Sequence, residues 1–218
     1  MSNKLPYKIN GQEGEYTLHD GDIVLVHAKG LNVISASIRI LTKSYWNHVG
    51  VYFRSYPWAE EQVVEALGTV IVNDFSKYLD YSNFDVKVVR INAKYFKDEY
   101  EREQKINTFL QNMYSLVGKR YDGVAIVWLG IKCITKNILR PLWKLMCKTN
   151  NWLDSKERFF CSEAVCASAE GLSTVKPCLF QGENDKQAYC NNVTPKDIGK
   201  ADSVDFVWSN ISNGKELL

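Results

Sequence analysis

Three residues far apart in this chain have the types that nucleophilic acyl chemistry needs: a thiol at Cys161, an imidazole at His48 and a carboxylate at Glu65. The thiolate rather than the thiol attacks a carbonyl, so a histidine must take the sulfur's proton and a third polar group must orient that imidazole. Cys161 stands in the first turn of the run FFCSEAVCASAEGL, residues 159–172, where the positive end of a helix lowers the pKa of a thiol. His48 opens the apolar run of SYWNHVGVYF, residues 44–53, in which Val49, Val51 and Phe53 alternate with Gly50 and Tyr52. Glu65 sits in VVEAL among Val63, Val64, Ala66 and Leu67. An ionised carboxylate in such a strand needs a partner, and His48 on a neighbouring strand would be one.

Taken singly, each residue also has a structural reading: Cys161 as a buried thiol, His48 as a packed or capping ring, Glu65 as an exposed carboxylate on an edge strand. His27, just after the first apolar strand, is the fallback base, and His19 reads as a structural or surface residue. Glu163 is an acid in a first helical turn, where the helix dipole favours it. Cys166 falls mid-helix and reads as a small buried hydrophobe; Cys133, Cys147, Cys178 and Cys190 have no activating context. No close cysteine pair has zinc-finger spacing, and neither metal nor cofactor is expected.

The elements that must position these groups follow from the pattern of apolar residues. GDIVLVHA predicts a strand after a Gly-Asp turn, NVISASIRILTKS a helix, and the His48 run a second strand. EQVVEALGTVIVNDF predicts two short strands broken at Leu67-Gly68, and FDVKVVRIN another; connections this short predict an antiparallel meander. From Asp98, a plausible N-cap, the period changes: Ile106, Phe109, Leu110, Met113, Leu116 and Val117 form a helical stripe that Gly118 ends. A short small-residue helix carries Cys161 and ends at Gly171; a Thr-Pro turn then starts a helix near Asp197, and a last strand spans about Val204 to Trp208. Residues 1–20 read as a loose polar lead-in with a short strand around Tyr16 to Leu18, and residues 21–218 as a single domain.

Composition narrows the function classes. A chain of 218 residues that is 45% hydrophobic can bury an ordinary core. A net charge of +2 from 27 basic and 25 acidic residues gives no electrostatic reason to expect nucleic acid as a partner. No apolar run reaches the roughly 18 residues of a membrane span, and the N-terminus lacks the apolar core of a signal peptide. The expectation is therefore a soluble cytoplasmic protein with free thiols. One segment stands apart: in residues 122–148, Lys132, Lys136, Arg140, Lys144 and Lys148 recur every fourth position beside a dense apolar stretch. It reads as a helical insertion, a core-facing pair of helices with a solvated edge broken at Pro141, or as a peripheral membrane contact through 124–148.

GDIVLV, NHVGVYF, VVEAL, FFCSEAVCASA and VTPKDI, in this order from about Gly21 to Ile198, resemble the permuted branch of the NlpC/p60 papain-like superfamily, the YiiX-like cysteine hydrolases. The resemblance implies an α+β fold, an antiparallel sheet packed against helices with the nucleophile at a helix N-terminus. It implies Cys161 as nucleophile, His48 as general base and Glu65 as the residue orienting His48, with the backbone N–H of Cys161 serving an oxyanion. Asp22 and Glu163 match recurring acidic positions of that family and are given structural roles. The activity so implied is that of a thiol hydrolase, amidase or peptidase, or an acyl transferase, on a peptide, a cell-wall amide or a lipid-linked acyl group. A phage-borne or virion protein of this kind would reach a cell wall without an export signal. The competing class is a non-catalytic module of the same fold that binds lipid or a membrane surface.

Overall fold

The structure is a computed structural model, and it describes residues 4–9, 12–30, 44–55, 60–121, 158–159, 161–172, 179–180 and 193–211. The expected helix over 33–41 and the 122–148 segment lie outside the described residues. Among the described residues there are ten strands: β1 (Lys4–Ile9), β2 (Gln12–Thr17), β3 (Ile23–Ala28), β4 (His48–Ser55), β5 (Glu60–Leu67), β6 (Thr69–Asp74), β7 (Phe84–Ile91), β8 (Arg120–Tyr121), β9 (Arg158–Phe159) and β10 (Val204–Ser209). The helices are α1 (Glu99–Ser115), α2 (Cys161–Ser168) and α3 (Pro195–Lys200).

The expected α+β class and antiparallel sheet are present. Eight strands form one sheet in the order β10-β7-β3-β4-β5-β6-β8-β9, antiparallel throughout except for the two-residue pairing of β8 with β9. The expected meander holds only from β3 to β6. β7 pairs with β3, on the opposite side from β4, so the connection 75–83 has to cross the sheet. Apolar side chains drive that crossing: Phe75 and Tyr78 of a 3₁₀ turn, Phe75–Leu79, are buried against Tyr52, Val63, Val86 and Val88 on one face. Connection length alone gave no warning of it. The lead-in also differs from expectation, since β1 and β2 pair as a hairpin from Lys4↔Thr17 to Ile9↔Gln12. Leu5, Tyr7 and Ile9 alternate with Lys4, Pro6 and Lys8 in β1, but Pro6 interrupts that run and the β2 sequence QEGEYT is polar.

The other face of the sheet takes the helices. Ile23, Leu25, Val49, Val51 and Val64 pack with Ile106, Phe109, Leu110 and Met113 of α1 and with Ala164, Val165 and Cys166 of α2. Burying side chains such as Phe109 and Met113 stabilises the fold by about 2 kcal/mol each. Asp98 caps α1 by accepting from the Glu101 N–H at 2.8 Å. The helix ends at Ser115, and Gly118 adopts φ 86°, so Val117 falls outside the apolar stripe and is exposed. Among the described residues no helix is long and apolar enough to cross a membrane.

Asp22 has the structural role expected of it. Its carboxylate is fully buried and accepts from Arg90 Nε at 2.7 Å and Nη2 at 2.8 Å, while also capping the His19 N–H at 2.9 Å. Removing the guanidinium would strand a buried carboxylate. Arg90→Met is expected to lower unfolding stability by about 3 kcal/mol, measured as a drop in the urea midpoint at unchanged slope. An Asp22→Leu/Arg90→Met double variant should recover part of that loss, because no unpaired charge remains.

Candidate active site

The site is built where β4 begins. Asn47 extends the pairing of β3 and β4 through its side chain, accepting from the Ala28 N–H at 3.1 Å and donating to the Ala28 carbonyl at 3.3 Å. This pins the backbone immediately before His48, which pairs with Val26. Two residues on, Gly50 faces Glu65 across the β4–β5 ladder. A Cβ at Gly50 would lie 2.6 Å from Val63 Cγ2, 2.9 Å from the Val64 carbonyl oxygen and 3.1 Å from Glu65 Cβ. The glycine therefore lets the two strands close, and His48 and Glu65 meet diagonally on one face.

His48 Nε2 and Glu65 Oε2 are 2.5 Å apart. The Cys161 side chain lies close enough to the His48 ring to be among the causes that raise its pKa. With Nε2 engaged by Glu65, Nδ1 is the ring nitrogen left for the sulfur. The three residues named from the sequence thus lie together, and all are buried, at 3% exposure for Cys161, 8% for His48 and 1% for Glu65.

Electrostatics favour charge on the ring and on the carboxylate. Burial opposes the charged imidazole, but the hydrogen bonds to Cys161 and Glu65 and their negative charges outweigh it and raise His48 from 6.5 to about 9. Burial likewise opposes the Glu65 carboxylate. The hydrogen bond and charge of His48, with those of Lys77, outweigh it and hold Glu65 at about 2.

Cys161 is the first residue of α2 and a free thiol. Both ends of this helix are tied down: the Ser162 hydroxyl donates to the Val193 carbonyl at 2.6 Å, and Asn112 of α1 donates to the Ser168 carbonyl at 3.0 Å. Val193 immediately precedes the capping box of α3, in which Thr194 and Asp197 satisfy each other's backbone N–H groups. Glu163 is buried in the first turn of α2. Cys166 is disulfide-bonded, which corrects the expectation of free thiols.

The fallback base takes other partners. His27 Nδ1 lies 2.6 Å from the Tyr45 carbonyl oxygen, and the His27 ring stacks on that of Tyr45 with centroids 4.2 Å apart. His19 is exposed at the end of the lead-in.

Three residues around Glu65 were not anticipated. Asn73 of β6 donates to Oε1 at 2.7 Å, Lys77 Nζ also bonds Oε1, and the Tyr78 hydroxyl donates to Oε2. The signal lay in NDFSKYL, where Asp74 caps the turn by accepting from the Ser76 N–H and the aromatic pair Phe75 and Tyr78 recurs at a spacing of three. Reading it required knowing that this turn crosses the sheet face beneath Glu65.

No protein-family model and no curated protein matches this chain. Among solved structures, it is similar to the metalloprotein YiiX from Escherichia coli O157:H7, with a TM-score of 0.54 and 16% identity over 88% of this chain and 97% of that one. The similarity is one of fold. The name of that protein raises a metal, and the donor set here does not fit one. Among the described residues no group of three or more His, Cys, Asp or Glu side chains could hold a metal ion. Both Glu65 oxygens are already taken by donors, one of them the Lys77 ammonium, which would repel a cation.

Proposed function

We propose that the protein is a permuted papain-like cysteine hydrolase or acyltransferase of the YiiX-like kind, with Cys161 as nucleophile, His48 as general acid and base, and Glu65 orienting His48. The observation that carries this reading is the position of His48, 2.5 Å from a buried carboxylate and beside a free thiol at a helix start that raises its pKa. Two further features support it: the chain order of histidine, acid and cysteine, and the YiiX-like fold.

In the reaction so proposed, an imidazolium beside the sulfur favours the thiolate, which attacks the carbonyl carbon of an amide or ester. A sulfur–carbon bond forms, and the carbonyl electron pair moves to oxygen, where the Cys161 backbone N–H is the donor. As the tetrahedral adduct collapses, the bond to the leaving nitrogen or oxygen breaks and that atom takes the proton from His48. Water, or an acceptor hydroxyl or amine, then attacks the thioester and gives its proton to neutral His48. Collapse of the second adduct returns the thiolate and the protonated ring. Glu65 stays ionised throughout and fixes which face of the ring meets the sulfur. Amides are the leading substrate class, followed by lipid-linked acyl groups.

The test is to incubate the protein with aryl amides, aryl esters and short acyl thioesters, quench in acid and map the adducts by mass. An acyl adduct on Cys161, absent in Cys161→Ala and slow to clear in His48→Ala, is the expected result. Adducts spread over several cysteines, or none on Cys161 with any of the three probes, would overturn the reading.

A further inference from the structure

Glu65 is the most heavily bonded side chain at the site. Each of its oxygens receives two donors: Asn73 Nδ2 and Lys77 Nζ on Oε1, His48 Nε2 and the Tyr78 hydroxyl on Oε2. A carboxylate offers about four lone-pair positions, so these four donors saturate it. A buried carboxylate with one partner is free to rotate or to take that partner's proton; one held by four donors is not.

The donors come from two places that the fold has to bring together. Asn73 belongs to β6, which pairs with β5, and it faces Val63, two residues along the ladder from Glu65. Lys77 and Tyr78 arrive on the 3₁₀ turn that crosses the sheet face. The Tyr78 ring is wedged edge-on against Phe84 with centroids 5.2 Å apart, and the Lys77 ammonium lies 4.6 Å above that same ring. Burial foremost, and then the charge of Glu65, pushes the Tyr78 phenol well above its usual range, so it stays a donor.

We propose that Lys77 and Tyr78 are positioning residues that act through Glu65: they hold its carboxylate ionised and fixed in rotation, so that it orients His48 and never accepts its proton. The proposal rests on the hydrolase reading for its purpose, but its test does not need a substrate. The crossing that burial of Phe75 and Tyr78 drives thereby sets Lys77 and Tyr78 beneath Glu65, where a simple β6–β7 hairpin would not bring them.

Two measurements decide it. One is the alkylation rate of Cys161 by iodoacetamide at pH 6, read by mass; the other is the titration midpoint of the Glu65 carboxyl carbon by NMR, assigned by difference with Glu65→Gln. Lys77→Met is expected to slow alkylation about tenfold and to raise the Glu65 midpoint by about one pH unit or more, with Lys77→Arg restoring most of both. Tyr78→Phe, which keeps the ring packing, is expected to slow alkylation about fivefold. In a Glu65→Gln background the Lys77 and Tyr78 substitutions should add nothing, because their effects pass through that carboxylate.

An unchanged Glu65 midpoint together with rates within twofold of wild type would overturn the proposal, as would the same losses in the Glu65→Gln background. Should Lys77→Met fail to fold, the Tyr78→Phe cycle carries the test alone. Failure of the hydrolase reading would show separately, as an absence of acyl adducts while both of these readouts still respond.

Discussion

Replacing Cys161 with alanine is expected to lower turnover of any acyl substrate at least a thousandfold, and His48→Ala to lower it by a similar factor. The reason is that the two act as one unit. In the proposed mechanism the sulfur attacks as a thiolate held beside the protonated ring, and the leaving group departs with the proton of that ring. Removing either partner ends both steps, so the double variant should be little worse than the single ones. The comparison needs kcat and KM separately: loss of the nucleophile should appear in kcat, since substrate contacts away from the sulfur are untouched. His48→Ala should also slow alkylation of Cys161 by iodoacetamide. A Cys161→Ala protein retaining a tenth of wild-type turnover would place the chemistry elsewhere.

The part of this site legible in the sequence is the part that follows a period. His48 reads as the start of a strand because Val49, Val51 and Phe53 alternate after it, and those three side chains are buried on the helix-bearing face. Glu65 stood out because a charged residue interrupts an apolar strand, and the α1 stripe appeared at Ile106, Phe109, Leu110 and Met113 because helical spacing repeats. What was not legible depends on the third dimension. The pairing of β7 with β3 is decided by where Phe75 and Tyr78 find an apolar face, and nothing local to FDVKVVRIN encodes which neighbour it will take. Lys77 is invisible for the same reason, being an ordinary surface residue type in a five-residue turn until the crossing sets it against a buried carboxylate.

Stability should follow the protonation of the buried His48–Glu65 pair, and the two shifts fix the direction on each side. The folded-state value of His48 is raised from 6.5 to about 9, so its contribution is fully present below about pH 6.5 and is lost as the pH rises through about 9. The folded-state value of Glu65 is depressed from 4.5 to about 2, so its contribution is present above about pH 4.5 and is lost as the pH falls through about 2. The two shifts share the His48–Glu65 pair, which is counted once, with Cys161 adding to the first and Lys77 to the second, for a total on the order of 3 kcal/mol. Urea unfolding at pH 6 and at pH 10 is the direct measurement, with the wild-type protein losing about that much between the two. In Glu65→Gln the alkaline loss should shrink by half or more, because a neutral amide cannot hold the proton on His48. If the two proteins lose stability in parallel between pH 6 and pH 10, the alkaline loss belongs to other groups and the ring is not held charged by Glu65. A plateau centred near pH 5.5 that disappears in the variant would instead tie the stability of the fold to the same ion pair that aims the imidazole at Cys161.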